Sequence, residues 1–94
     1  MSKQAYQQKT EAKIEEYQAK LKEARARAKG ETADARLEAE KHIAELEKKI
    51  DSGKKRLREI GEAAEDAWEE LAKGLDDVWD GVSGGIKNVF ARFK

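Results

Sequence analysis

The sequence predicts an all-α protein, in the form of an elongated coiled coil, a long helix or an antiparallel helical hairpin, and three observations predict it. Among its 94 residues there is no proline, and Ala, Glu, Lys, Leu and Arg, which lose little side-chain freedom in a helix, dominate. Charged residues make up 43% and hydrophobic ones 38%, many of these Ala, so the chain has little bulk for a compact globule. Finally, apolar residues recur every eleven positions, which is three helical turns at about 3.67 residues per turn.

Residues 1–60 read as a charged Ala/Lys/Glu-rich coiled-coil helix. Ala24, Ala35, Leu46 and Leu57 form one eleven-residue row, Tyr17, Ala28, Ala39 and Ile50 a second, and Leu21, Thr32 and Ile43 a third. On the polar side Glu16 precedes Lys20, Glu23 precedes Arg27, Glu45 precedes Lys49 and Asp51 precedes Lys55, each four residues apart, an order that favours helix by a few tenths of a kcal/mol per pair. Gly30, the run Asp51-Ser52-Gly53 and the stretch IGEAAEDAWEE at residues 60–70 are candidate breaks. From Ile50 through Gly53, Leu57, Ile60 and Ala64 the spacing shortens to a heptad, which swings the apolar stripe round the helix.

Residues 61–94 read as an amphipathic helical segment of three aromatic repeats. Broken every eleven residues, GEAAEDAWEEL, AKGLDDVWDGV and SGGIKNVFARF align Trp68 with Trp79 and Phe90, Leu71 with Val82 and Phe93, Ala64 with Leu75 and Ile86, and Ala67 with Val78 and Val89. Asp66 followed by Glu69 predicts a capping box. Gly74, Gly81, Gly84 and Gly85 each cost about 1 kcal/mol against Ala in a helix, so this segment is expected to need a surface to fold on.

The first half of the chain is one such surface. A reversal at residues 51–54 pairs positions that sum to 107, setting Tyr17 on Phe90, Ala28 on Trp79 and Ala39 on Trp68; two straight helices in an antiparallel dimer obey the same arithmetic. A turn near Gly61 to Glu65 instead gives sums near 128, with Ile50 opposite Val78 and Leu46 opposite Val82. The fit of Ala to Trp favours the first.

The pattern EDAWEELAKGLDDVWDGV with its FARFK ending, preceded by ADARLEAEKHIAELEKKI, resembles a group of small bacterial coiled-coil proteins of uncharacterised function. The resemblance covers most of the chain and rests chiefly on Trp68, Trp79 and the ending Arg92-Phe93-Lys94. It implies a helical fold and no catalytic residues. In repeat length alone the chain is also similar to the eleven-residue amphipathic repeats of lipid-surface and desiccation-protection proteins.

Several function classes are disfavoured. Without cysteine there is neither a disulfide nor a thiolate metal site. The N-terminal residues lack the apolar core of a signal peptide, and no stretch approaches the roughly 18 apolar residues of a membrane span. The expectation is a cytoplasmic protein, peripheral on the inner face of the membrane when docked. His42 has Glu38 and Glu45 within helical reach, but Ala39 stands where a di-iron bundle has Glu, so no metal ligand is assigned. Glu69 with Glu70 and Asp76 with Asp77 read as a solvated face, since acid–base work needs a water-excluding pocket.

The run DGVSGGIK misses the spacing of a phosphate loop, and the Gly81/Gly85 pair lies outside any apolar span. Lys48, Lys49, Lys54, Lys55, Arg56 and Arg58 form a basic cluster, but a net charge of zero and the lack of interleaved aromatics argue against nucleic acid as a partner. Charge is nonetheless uneven: residues 1–60 hold 16 Lys and Arg against 12 Asp and Glu, and residues 61–94 hold 4 against 8.

One feature points to function. Trp68, Leu71, Leu75, Trp79, Val82, Ile86, Phe90 and Phe93 form an interaction stripe that packs on a partner helix or docks on a membrane or other apolar surface, with Lys87, Arg92 and Lys94 placed for lipid head groups. The expected protein is non-enzymatic and self-associating, a dimer or higher oligomer, with no cofactor and no small-molecule substrate. The competing expectation is a stress protectant that stays disordered until dried or bound.

Overall fold

A computed structural model describes residues 2–93 as three α-helices: α1 Lys3–Ala28, α2 Ala33–Glu62 and α3 Trp68–Ala91. They fold up, down and up into a slender bundle of 50 × 16 × 16 Å, with α1 and α3 parallel and α2 antiparallel to both. The all-α, elongated expectation holds, with one more reversal than a hairpin.

That extra reversal falls at Gly30. Ser2 caps α1 by accepting the Ala5 N–H (3.1 Å), and Thr32 caps α2 by accepting that of Ala35 (3.4 Å), so each helix begins on a hydroxyl. The expected reversal at residues 51–54 does not occur: α2 runs through Asp51-Ser52-Gly53, and no described glycine takes the positive φ that a tight turn would exploit. The chain turns instead at residues 63–67, beside the alternative position. There the expected capping box fails, because the N-cap of α3 is Ala67 and no side chain caps it. Lys3 closes this end by donating to the carbonyls of Gly61 (3.2 Å) and Ala63 (3.0 Å), which have no helical partners at the end of α2.

The register differs from both sequence-based versions. Gly53 lies against Trp79 and Gly85 against Leu46, so facing residues of α2 and α3 sum to 131 or 132, about one helical turn from the second expectation. Tyr17 meets Trp79 rather than Phe90, at 5.8 Å between ring centroids, and Tyr6 meets Trp68 at the same separation. Tyr6 and Tyr17 are eleven apart, as are Trp68 and Trp79, so parallel α1 and α3 repeat the same contact after three turns.

The buried set itself keeps a different period. On α2 it is Ala39, Ile43, Leu46, Ile50, Gly53, Leu57 and Ile60; on α3 it is Trp68, Ala72, Leu75, Trp79, Val82, Ile86 and Val89. Both runs step by four and three in strict alternation, the heptad spacing of left-handed helix packing. The heptad seen from Ile50 to Ile60 therefore extends along α2, and Ala64, expected to continue it, is exposed beyond the helix end.

Tyr6 fastens α1 to α3. Its hydroxyl donates to the Asp76 carboxylate (2.8 Å), and the Ala72 carbonyl also lies within reach at 3.1 Å. Burial, followed by the hydrogen bond and the negative charge of Asp76, raises the Tyr6 pKa from 10.0 to about 12. A pKa raised by folding contributes stability that is complete below the unfolded value and fades as pH climbs from about 10 to 12. Tyr6→Phe is expected to cost about 1 kcal/mol at neutral pH and to flatten this alkaline loss. Melting temperatures measured across the alkaline range for both proteins check it; parallel curves would mean that the hydroxyl holds nothing.

Candidate interaction site

The structure divides the predicted stripe into a buried part and an emergent part. Trp68, Leu75, Trp79, Val82 and Ile86 are at most 5% exposed and fill the core between the helices. Leu71 does not join them: it is 41% exposed, and Ala72 takes the inward position, because the four–three spacing from Trp68 passes over residue 71. Val89, left out of the predicted stripe, is buried by the same count. Sequence reasoning could have found both Ala72 and Val89 by counting sevens, back from Trp79 to the first and forward from Trp68 to the second.

Phe90 and Phe93 emerge, half-buried, where α3 ends. They contact each other edge-on at 5.9 Å, and the Arg27 guanidinium sits over both rings, 5.4 Å from each centroid. Arg27 reaches them because α1 ends beside α3, a proximity that no sequence spacing announces. This cation–π arrangement leaves the positive charge near solvent and the ring edges partly open.

Lys20, Glu23, Arg27, Ile86, Lys87, Phe90 and Ala91 line the groove between α1 and α3 at this end. Its floor is apolar and its walls are mainly cationic. Lys87 and Arg92, two of the predicted head-group contacts, are exposed here, with Arg92 4.0 Å from Glu38; Lys94 lies outside the described residues. Leu37, 63% exposed, stands on the first turns of α2 at the same end of the bundle.

Elsewhere two polar clusters join neighbouring side chains. His42 stands between Glu38 (3.2 Å, out of hydrogen-bonding alignment) and Glu45 (3.9 Å), both on its own helix. Among the described residues no three His, Cys, Asp or Glu side chains gather as a metal cage would require. Arg25 grips Glu47 across α1 and α2 through two hydrogen bonds of 2.8 and 3.2 Å, which raise its pKa further. No described helix is long and apolar enough to cross a membrane. No family model, curated protein or solved structure gives a significant match to this chain.

Proposed function

We propose that this chain is a non-enzymatic, self-associating helical module that works through its surface, docking on a membrane by way of its third helix. The observation that carries this reading is the fate of the aromatic residues. α3 and the residue pair after it hold both tryptophans and both phenylalanines; the tryptophans stay in the core, whereas Phe90 and Phe93 come out beside Lys87, Arg92 and Arg27. Aromatic rings flanked by Lys and Arg match the apolar-to-charged gradient of a bilayer interface.

Vesicle flotation with sedimentation tests both halves of the proposal. The protein is expected to float with vesicles containing anionic lipid and to sediment as more than a monomer without them. Phe90→Ser together with Phe93→Ser should weaken vesicle binding. Each ring is already half-buried, so insertion gains only about 1 kcal/mol per ring, or roughly thirtyfold in affinity for the pair. A protein that stays monomeric and never floats, whatever the lipid, would refute the reading.

A further inference from the structure

The turn between α1 and α2 is close to being helix. Lys29 keeps helical dihedral angles (φ −62°, ψ −23°), and beyond it the Gly30 N–H donates to the Arg27 carbonyl and the Glu31 N–H to that of Ala28, both at 3.1 Å. These are the bonds of a tightened last turn, three residues apart. The chain leaves the helix at Thr32, whose φ of −60° is still helical and whose ψ of 160° is extended. No residue in the turn takes a positive φ. Straightening it therefore asks only for rotation at and just before Thr32.

The eleven-residue rows pass through this turn without losing phase. Leu21, Ala24 and Ala28 are followed at eleven by Thr32, Ala35 and Ala39, and again by Ile43, Leu46 and Ile50, so that a continuous helix would carry them as one stripe in steps of three and four. A chain that only reverses at residues 29–32 has no use for that phase. Thr32 and Ala35 are exposed while the other seven are buried, and from Thr32 to Glu38 every residue of the α2 overhang is exposed.

We propose that the chain forms a domain-swapped dimer, in which residues 3–62 become one straight helix and α1 of each copy packs on α2 and α3 of the other. This rests on the self-association half of the reading above and names the element exchanged. The contacts of α1 in the closed bundle are remade between copies: Tyr6 with Trp68 and Asp76, Tyr17 with Trp79, and Arg25 with Glu47. The antiparallel register that Arg25 and Glu47 set brings the Thr32, Ala35 and Ala39 segments of the two copies together about the two-fold axis, where their small side chains let the helices approach. The exposed overhang of α2 thereby gains a partner. Opposing this, the straight form gives up the Thr32 cap and places Gly30 inside a helix. Each long helix spans about 90 Å at about 1.5 Å per residue, against 50 Å for the closed bundle.

Two substitutions pull the forms apart. Ala33 is the first residue of α2, where proline is well tolerated because the N–H there lacks a helical acceptor; within a continuous helix the same ring clashes with the preceding turn. Ala33→Pro is expected to give a folded monomer at every concentration. Thr32→Ala deletes a cap that only the closed form uses, and with both chains affected the dimer affinity should rise about tenfold or more. Each protein is refolded from denaturant at low and at high concentration, its mass read by sedimentation and its fold checked by circular dichroism. Exchange itself is read with Arg25→Cys and Glu47→Cys in one chain that has no other cysteine. A short bis-maleimide applied to the dimer fraction should join two chains, giving a band of double mass under denaturing conditions.

If Ala33→Pro dimerises as well as the native protein, or the maleimide bridges residues 25 and 47 only within one chain, exchange is refuted while self-association through another face stands. If the native protein and Thr32→Ala both stay monomeric after refolding at high concentration, exchange and self-association fall together.

Discussion

Trp79→Ala is expected to unfold most of the protein near physiological temperature. The indole is 2% exposed, packs on Tyr17 and Gly53, and sits midway along α3, where all three helices meet. Removing a buried aromatic side chain costs about 3–5 kcal/mol, against a total of about 5–15 kcal/mol for a domain, and a narrow bundle has few alternative contacts. In a chain this short the corresponding drop in melting temperature is roughly 15–30 °C. Circular dichroism at increasing temperature measures it, and a drop of only a few degrees would place the indole outside the core.

A second replacement at this position separates packing from polarity. The Trp79 Nε1–H is buried with no acceptor among the described residues, so the native state already bears the cost of an unpaired donor. Trp79→Phe removes that donor and keeps an aromatic ring. It should cost much less than Trp79→Ala, and equal losses would mean that ring size outweighs the unpaired N–H.

Gly53→Ala is the other large effect, and its sign opposes helix propensity. Alanine in place of glycine within a helix is ordinarily worth about 1 kcal/mol of added stability. Here a Cβ would lie 2.8 Å from Cζ2 and 2.9 Å from Cζ3 of Trp79, and closer still to Cη2, so the indole must move within a packed core. Overpacking of this kind costs about 1–3 kcal/mol, and after the propensity gain the net expectation is a loss of up to about 2 kcal/mol.

Gly84→Ala supplies the contrast, because a Cβ there meets nothing within 4 Å and the substitution should stabilise. Combining Gly53→Ala with Trp79→Phe should recover part of the loss, since the shorter ring vacates the space. Chemical denaturation of the four variants measures the coupling. Additive losses would show that Gly53 and Trp79 do not share that space.

How much of this was legible beforehand is clearest in α3. Trp68, Leu75, Trp79, Val82 and Ile86 were readable as one face because they satisfy the eleven-residue and the seven-residue ruler alike: steps of four, three and four make eleven, and steps of four and three make seven. The rulers part at Leu71 and Ala72. Only neighbouring helices packed in a heptad arrangement turn Leu71 outward and draw Ala72 in. The emergent aromatic pole was partly legible, since Phe90, Phe93, Lys87 and Arg92 were named from the sequence. Arg27 was not, because it lies more than sixty positions upstream of the rings it covers.

By itself the sequence determined that the chain is helical and that no described helix is long and apolar enough to cross a membrane, because the absence of proline, the abundance of helix formers and the density of charge are local properties that each residue carries with it. It also marked Gly30 as a break. Only the tertiary structure decided that the chain reverses twice, at residues 29–32 and 63–67, and that Gly53 is a seat for Trp79 and not a turn. The physical reason is that a glycine inside a helical pattern has two uses, conformational freedom and missing volume. Its own neighbours in sequence do not distinguish them; the side chain that arrives from another helix does.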